Sequence, residues 1–346
     1  MSPEDGATLD TEQIIRALTP LRFARFRFVM EALEPLSLPP YKGSTLRGAF
    51  GVAFKEAACV SDGKVCRRCL LATNCFYNYV FDTPIPVDSL RMRKYTAAPH
   101  PFVLEPPLDA RRSYTPGDRF EFGLVLVGKA IELLPYFVFV FDRMGQRHGL
   151  GRGRGRLNLV EVVWVSVDAS SGESQIIYAL PEGRLLDGDW AATVDDLLPE
   201  RLDAGANGST RVTVRFETPC RMVRGATLTD QPEFHVLFRS LLRRLSSLAY
   251  FHCGSDLDLD FRALAAAAEH VRLIRDETSW FDWERYSARQ DARMSLGGIV
   301  GDAEYEGEMA QLLPVLRLGE ILHAGKGTGF GLGRYTITSD VGSEGV

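Results

Sequence analysis

The stretch Phe23-Ala-Arg-Phe-Arg-Phe-Val-Met-Glu31 alternates between charged and apolar side chains from Arg25 onward. Its apolar positions share one face and its charged positions share the other: Phe26, Phe28 and Met30 against Arg25, Arg27 and Glu31. A period of two predicts a strand with one buried face. A helix is predicted next, from Ser44 to Ala58, because apolar residues recur there at a spacing of four.

The remaining elements repeat this beginning in two halves. The first half adds predicted strands at 120–127 and 160–167 around a helix at 130–144, with short strands between the prolines of 79–118. The second half has a predicted strand at 211–217, helices at 234–248, 261–274 and 308–323, two strands within 278–305 and a last strand at 332–338. Pro314 is expected to kink the helix at 308–323.

Each half follows the order β-α-β-β-α-β, which is the split βαβ motif. We therefore predict an α+β fold of two tandem ferredoxin-like units. The N-terminal domain is placed at 1–170, a connector rich in Asp, Gly and Ser at 171–210, and the C-terminal domain at 211–346.

The composition excludes several classes of protein. The 346 residues are 45% hydrophobic and 25% charged, which is typical of globular chains and not of disordered, collagenous or coiled-coil ones. The longest apolar run, Leu133 to Phe141, is too short to span a bilayer, which needs about 20 residues. Because the N-terminus is also polar and acidic, we expect a cytoplasmic protein with no membrane partner.

Four of the six cysteines cluster between Cys59 and Cys75. The spacing Cys59-x6-Cys66-x2-Cys69-x5-Cys75 predicts a four-cysteine knuckle around a structural ion, inserted in the first domain. Zinc is the first candidate, an iron–sulfur cluster is the alternative, and four free thiols are the remaining interpretation. No metal is expected to take part in catalysis.

A basic loop follows the predicted helix at 130–144. From Arg143 to Arg156 it holds five arginines, one histidine and no acidic residue, interleaved with glycine. Such a loop can follow a phosphate backbone. We predict RNA contacts from Arg147, His148, Arg152, Arg154 and Arg156, and a solvated surface loop is the alternative.

A second glycine-rich segment lies near the C-terminus, with glycine at every second position: Gly325, Gly327, Gly329, Gly331 and Gly333. Glycine lets backbone N–H groups approach a phosphate closely. The spacing is not that of an ATP-binding Walker motif. With Lys326 and Arg334 embedded in it, this loop is predicted to contact RNA, and a flexible hairpin loop is the alternative.

Several sequence motifs of this chain, in this order, resemble those of the RAMP superfamily of CRISPR proteins. Tyr41-Lys-Gly-Ser-Thr-Leu-Arg-Gly-Ala-Phe-Gly51 resembles its first helix, and His323-Ala-Gly-Lys-Gly-Thr-Gly-Phe-Gly-Leu-Gly-Arg-Tyr335 resembles its glycine-rich loop. Trp283-Glu-Arg-Tyr-Ser-Ala-Arg-Gln290 and Leu296-Gly-Gly-Ile-Val-Gly301 resemble one branch, the Cas6 endoribonucleases that process CRISPR precursor RNA. The resemblance extends from about Phe23 to Ile337.

The resemblance implies two ferredoxin-like domains that bind a CRISPR repeat RNA. It implies metal-independent cleavage, in which the 2′-hydroxyl attacks the adjacent phosphate and leaves a cyclic phosphate and a 5′-hydroxyl. The mature crRNA would stay bound or pass to an effector complex with other Cas subunits. Well-known members carry a catalytic histidine in or beside the first helix, whereas residues 41–58 of this chain contain none.

The catalytic residues are therefore argued from chemistry. His323 lies at the predicted C-terminus of a helix, where the helix dipole favours the imidazolium that a leaving 5′-oxygen needs as general acid. Lys42 is expected to stabilise charge on the phosphorane, and Tyr41 to orient or deprotonate the 2′-hydroxyl. Arg47 and Arg289 are predicted RNA contacts. The other histidines outside the basic loop are expected to be structural or surface residues: His100, His235, His252 and His270.

Two functions follow from these residues. The first is an endoribonuclease that cuts CRISPR precursor RNA at the repeat. The second is a crRNA-binding subunit of an effector complex that has lost cleavage, which the missing histidine at 41–58 favours.

Overall fold

The computed structural model describes residues 10–61, 66, 69–86, 88–168, 170–198, 210–287 and 292–340, with the backbone alone described at 284–287, 292–295 and 339–340. The helices are α1 (Thr11–Leu18), α2 (Gly43–Ala58), α3 (Leu134–Arg143), α4 (Phe234–Leu248), α5 (Phe261–Glu269) and α6 (Leu313–Leu322). Across the described residues, none of the helices has the length and apolar character needed to cross a bilayer.

The strands up to residue 180 are β1 (Phe23–Ala32), β2 (Leu36–Ser37), β3 (Phe102–Glu105), β4 (Ser113–Tyr114), β5 (Arg119–Val127), β6 (Leu157–Val165) and β7 (Ser174–Ala179). The later strands are β8 (Thr210–Cys220), β9 (Val223–Arg224), β10 (Thr227–Leu228), β11 (Arg272–Phe281), β12 (Glu284–Ser287), β13 (Ala292–Ser295), β14 (Gly298–Gly307) and β15 (Tyr335–Asp340).

The first sheet has the order β3-β5-β1-β6-β7, and all its strand pairs are antiparallel. The alternation of β1 buries Phe26, Phe28 and Met30 completely. Helices α2 and α3 cover this face, where Phe50 of α2 stacks on Phe141 of α3 with ring centroids 4.4 Å apart. The strand predicted at 23–31 is therefore confirmed, at the centre of its sheet.

The second sheet has the order β11-β14-β8-β15 and is also antiparallel. Helices α4 and α6 pack on it, and the hydroxyl of Tyr335 on β15 donates to the carbonyl of Leu316 on α6 at 2.7 Å. An α+β fold with antiparallel sheets is confirmed. The tandem ferredoxin-like arrangement stays a prediction, which the central position of β1 and β8 in their sheets supports.

Three elements differ from the sequence-based expectation. The helix predicted to reach Ile274 ends at Glu269, because Arg272–Phe281 forms an edge strand whose largely exposed side chains hide the alternation. Pro314 lies in the first turn of α6 and does not kink it, since a first-turn residue needs no hydrogen-bond acceptor for its nitrogen. Strand β7 lies within the predicted connector and extends the first sheet past residue 170.

Candidate functional site

A cavity of about 580 Å³ lies where the glycine-rich loop meets α4 and the segment that leads into β3. The loop contributes residues 325–330, the segment contributes residues from Met92 to His100, and the turns around β9 contribute 221–225. Its ionisable lining residues in the described part of the chain are all basic, apart from Tyr95: His100, Arg221, Arg224, His235, Arg239, Arg243, Arg244 and Lys326. We call this the α4–glycine-loop cavity. A space lined by cations and by no described carboxylate favours an anionic ligand.

Helix α4 supplies half of these cations because its two faces differ. Apolar residues at helical spacing, such as Phe234, Phe238 and Leu241, are buried against the second sheet. Residues His235, Arg239 and Arg243 recur every four positions and line the cavity. Four residues advance a helix by about 6 Å, so these side chains form a row along one face.

The glycine-rich loop has a cavity side and a packed side. Gly325, Lys326, Gly327 and Gly329 line the cavity, and Lys326 is exposed. Gly331 faces the first sheet: it has φ of +83°, and a Cβ there would lie 2.3 Å from Cδ of Pro106 and 2.7 Å from the carbonyl oxygen of Leu104. This position therefore requires glycine, both for its backbone conformation and for its close approach to β3.

His100 reaches the cavity from the first sheet. Its Nδ1 lies 3.1 Å from the hydroxyl of Thr83, its Nε2 lies 3.4 Å from Nη2 of Arg47, and its ring stacks on Phe102. Because a guanidinium can only donate, the contact with Arg47 requires Nε2 to accept and Nδ1 to carry the proton toward Thr83. A Cβ on Gly329 would lie 3.4 Å from the His100 ring, so this imidazole borders the loop directly.

His252 supports the segment that carries His100. Its Nε2 donates to the carbonyl of Pro99 at 2.8 Å, so its Nδ1 accepts from the hydroxyl of Tyr79 at 3.1 Å. Burial lowers the pKa of His252 to about 4, and the ring is therefore neutral at pH 7. This matches the structural role expected for His252 from the sequence. His100 was also expected to be structural, but it lines the cavity.

His323 directly follows α6, as expected, but its surroundings differ from the expectation. The side chain is fully buried, its Nδ1 donates to the carbonyl of Leu332 at 3.1 Å, and its Nε2 lies 3.5 Å from Glu105 on β3. Burial lowers the pKa of His323, although Glu105 opposes this shift. An imidazolium at this position stays a prediction, which the lowered pKa of His323 does not support. These contacts do not support His323 as general acid.

Glu105 balances the charge of this buried region. Its carboxylate receives two hydrogen bonds from Arg25, at 3.1 and 3.3 Å. Burial alone would raise the pKa of Glu105, but Arg25, His323 and Arg334 outweigh it and lower the pKa to about 2. The carboxylate thus stays ionised and holds β1, β3 and the glycine-rich loop together.

Tyr41 and Lys42 are engaged within the protein. The hydroxyl of Tyr41 donates to the carbonyl of Phe330 at 2.8 Å, and burial raises the pKa of Tyr41 well above its ordinary range. Lys42 is fully buried and donates to the backbone carbonyl of Asp109 at 2.6 Å. The assignment of both as catalytic residues is not supported by this geometry, because neither presents a free polar atom to the cavity.

Two of the predicted RNA-binding arginines also have protein partners. The guanidinium of Arg47 lies over the ring of Phe81 at 4.4 Å and over the ring of Phe330 at 5.2 Å. Arg334 forms an ion pair with Glu217 at 2.6 Å. These arginines therefore pack around the glycine-rich loop from behind, while Lys326 is the cation of that loop that opens to the cavity.

The basic loop at 143–156 lies elsewhere, since none of its residues lines the α4–glycine-loop cavity. His148 contacts Glu56 at 2.8 Å, with Arg147 nearby at 4.0 Å from the same carboxylate, and Arg156 pairs with Glu34. Arg152 and Arg154 form no ion pair with a described residue, and both are exposed. RNA binding by this loop stays a prediction. Arg289 lies outside the described residues.

The described cysteines of the segment from Cys59 to Cys75 are not grouped as a metal centre. Cys59, Cys66, Cys69 and Cys75 are all free and half-buried. Among the described residues, no three His, Cys, Asp or Glu side chains lie close enough to hold a metal ion. Burial raises the pKa of the Cys66 thiol, and so do the charges of Asp82, Cys75 and Cys59, while Lys55 lowers it. The four-cysteine site stays a prediction that this arrangement does not support.

Two family models match the chain. One, described as AF_1859_N, an N-terminal domain, matches residues 21–188, and the other, described as CRISPR-associated endoribonuclease Cas6, matches residues 214–335. Residues 214–335 of this chain are therefore similar to the Cas6 family of CRISPR-associated endoribonucleases. The Cas6 match includes α4, α6 and the glycine-rich loop, so it covers most of the cavity wall.

Solved Cas6 structures share this fold. A Cas6 product complex has a TM-score of 0.52 at 15% identity and covers 91% of this chain and 100% of that chain. Thermus thermophilus Cas6 has a TM-score of 0.51 at 14% identity and covers 92% of this chain and 99% of that chain. A partial Cas6-RT-Cas1–Cas2 complex has a TM-score of 0.55 at 11% identity, and this chain spans 47% of that longer chain. A search of curated protein sequences found no match.

The sequence contained one signal that would have located the cavity. The spacing of His235, Arg239 and Arg243 on a predicted helix already indicates a basic face. No comparable signal marks His100, since a histidine between two prolines indicates only a constrained loop. Its approach to Gly329 depends on contacts between segments far apart in the chain.

Proposed function

We propose that this Cas6-type protein cleaves CRISPR repeat RNA by attack of a 2′-hydroxyl on the adjacent phosphate, giving a 2′,3′-cyclic phosphate and a 5′-hydroxyl. The observation that carries the proposal is the α4–glycine-loop cavity, which combines basic side chains with two imidazoles, His100 and His235. RNA cleavage of this kind needs proton transfer and stabilisation of a phosphorane, and those residue types provide both.

His100 is the proposed general base. Its Nε2 takes the 2′-hydroxyl proton once the substrate hydroxyl replaces Arg47 as the hydrogen-bond donor to that atom, and its Nδ1–H is oriented by Thr83. Lys326 and Arg243 are exposed at the cavity and can stabilise charge on the phosphorane. His235, whose Nε2 lies 3.6 Å from Glu233, is the second imidazole available for proton transfer to the leaving oxygen.

The proposed reaction needs no metal ion. The described residues lining the cavity include no carboxylate, which is the ligand type that Mg²⁺ uses in nucleases. The proposed partners are CRISPR repeat RNA and the mature crRNA. The relatives in a product complex and in a Cas6-RT-Cas1–Cas2 complex support assembly with RNA and with other Cas subunits.

The decisive experiment incubates the pure protein with its repeat RNA in EDTA. We expect a product that ends in a 2′,3′-cyclic phosphate, and no product when the nucleotide before the scissile phosphate is 2′-deoxy. His100→Ala should slow single-turnover cleavage by about 10²-fold or more while the RNA affinity is retained. His270→Ala removes an exposed histidine at the end of α5, outside the cavity lining, and serves as the matched control.

Two outcomes would contradict this proposal. Wild-type cleavage that requires a divalent cation would exclude the metal-independent mechanism. RNA binding by wild-type protein with no cleavage at all would favour the second candidate, a crRNA-binding subunit. The hydrogen bonds that engage the side chains of Tyr41, Lys42 and His323 within the protein support this candidate. An undiminished rate in His100→Ala would remove His100 from the mechanism.

A further inference from the structure

We infer that the α4–glycine-loop cavity contains a phosphate subsite anchored by Arg244, which takes a backbone phosphate of single-stranded RNA. The inference deepens the proposed function and rests on it for the identity of the ligand as RNA. Arg244 lies on α4 beside the exposed Arg243, and its side chain enters the cavity wall from the protein interior. No part of the sequence pattern distinguished it from the solvated arginines around it.

Arg244 is buried with its hydrogen bonding incomplete. The side chain is only 9% exposed, and Nε donates to the carbonyl of Leu322 at the end of α6 at 2.8 Å. Its Nη2 is buried and has no hydrogen-bond partner, and no described carboxylate pairs with the guanidinium. Burial lowers the pKa of Arg244 to about 10, so the group remains charged at neutral pH.

A buried cation without a counter-charge destabilises the fold unless a ligand supplies the missing hydrogen bonds and negative charge. An unpaired buried charge loses its hydration, and an unmade hydrogen bond from a charged donor adds about 1–3 kcal/mol. Because Nε is fixed on Leu322, the free Nη edge is held in one orientation. A phosphate oxygen can accept from such a fixed edge and neutralise its charge at the same time, whereas a neutral ligand does only the first.

The neighbouring cations divide into two groups. At the rim, Arg224 pairs with Glu233 at 2.9 Å and Arg239 pairs with Glu269, so their charges are already balanced. Arg243 and Lys326 form no ion pair with a described residue. Arg244, Arg243 and Lys326 therefore supply the unbalanced positive charge, on α4 and on the facing glycine-rich loop.

The dimensions favour a single strand over a duplex. The cavity, at about 580 Å³, has the size of a small-ligand pocket and is bounded on one side by residues 92–100. A base-paired helix presents its phosphates on a wide outer surface and would not enter such a space. One nucleotide unit of an unpaired strand fits this volume, with its phosphate on Arg244.

Salt dependence of RNA affinity tests the subsite. The probe is octauridylate RNA with hydroxyl groups at both ends, titrated calorimetrically into the full chain at several salt concentrations. For single strands, each phosphate contact contributes about 0.7 to the slope of log K against log salt. Arg244→Gln should lower the magnitude of the slope by about 0.7 and weaken binding about tenfold. Arg215→Gln, an exposed arginine paired with Asp302 on the second sheet, should leave both values unchanged.

A double variant at two exposed positions provides a test that does not alter the buried Arg244. Arg243 and Lys326 are exposed, so Arg243→Gln with Lys326→Gln leaves the core intact and should lower the slope by about 0.7, because both side chains contribute to the one phosphate subsite. If Arg244→Gln does not fold, this double variant still tests whether an RNA phosphate binds in the cavity, and an unchanged slope in it overturns the inference. An unchanged slope in the folded variants, or no binding of octauridylate by the wild type, would overturn the inference.

A parallel titration with inorganic phosphate distinguishes the source of the ligand. Competition between phosphate and octauridylate that is lost in Arg244→Gln supports the subsite. Phosphate binding that depends on Arg244 while octauridylate binding does not would assign the site to a free phosphate and overturn the RNA subsite. If the wild type cleaves RNA but its RNA binding does not depend on Arg244, the proposed function stands and this inference fails. If RNA binding depends on Arg244 but no cleavage occurs, this inference stands and the proposed function fails.

Discussion

His100 and His323 both lie beside the glycine-rich loop, yet they meet different surroundings. His100 borders Gly329 and lines the cavity, while His323 is enclosed between Leu332 and Glu105. At this scale, the sequence predicts that His323 ends a helix just before the loop, and its position after α6 agrees. It could not place Glu105 against that ring, because the two residues meet only when β3 packs against the loop.

The buried histidines predict how stability responds to acid. The folded-state pKa of His252 is about 4, below its ordinary value of 6.5, so the unfolded chain binds an extra proton between these two pH values. The free energy of unfolding should therefore be constant above pH 6.5 and fall by about 1.4 kcal/mol per pH unit from this residue below it. His323 acts in the same direction, since its pKa is also lowered.

Urea unfolding at pH 7, 6 and 5 measures this effect. His252→Gln should be less stable at pH 7 because it loses hydrogen bonds, but its stability should depend less steeply on pH. His270→Gln, at an exposed position, should retain the wild-type slope. Equal slopes in all three proteins would mean that folding does not lower the pKa of His252.

Helix α4 shows what an element can reveal before its packing is known. Its apolar spacing was sufficient to predict the helix, which the structure places at Phe234–Leu248. Its basic row was visible in the sequence, but the facing loop was not, so the cavity between them escaped prediction. The helix predicted to reach Ile274 failed for a related reason, since an exposed edge strand carries no clear alternation.

The cysteine segment supplies a prediction at the same scale. The spacing from Cys59 to Cys75 predicts one zinc ion per chain, bound by four thiolates in a colourless protein. Metal analysis of protein purified without chelator, with thiol titration before and after chelation, measures this. Substituting Cys220, a buried cysteine outside the segment, should leave the metal content unchanged. A folded wild type with no metal would exclude the site, and visible absorbance would identify an iron–sulfur cluster.

On the scale of the whole molecule, the glycine-rich loop joins the two sheets. Gly331 lies against Leu104 and Pro106, and the carbonyl of Phe330 accepts from Tyr41 at the start of α2. The sequence identified the glycine spacing and its family resemblance. It did not show that the same loop has one side for packing and one side for the cavity, because that division depends on how the sheets meet.

This joint predicts a large effect from a small substitution. Gly331→Ala should lower the free energy of unfolding by about 2–4 kcal/mol, because the added methyl group meets Pro106 and the residue has a positive φ. Gly117→Ala has a similar φ of +89° with nothing within 4 Å, and should lose only about 1 kcal/mol from strain. Chemical denaturation of both variants measures the difference. Equal losses would show that the contact with β3 contributes nothing.

The shared wall of the cavity also has a consequence for how the protein is made. Residues 92–100 are translated early, whereas the facing residues 325–330 leave the ribosome only after both α4 and α6 have been synthesised. A nascent chain can complete its first sheet long before residues 325–330, which face Arg244 across the cavity, have been synthesised. A polypeptide interrupted before α6 would therefore lack the glycine-rich side of the cavity wall.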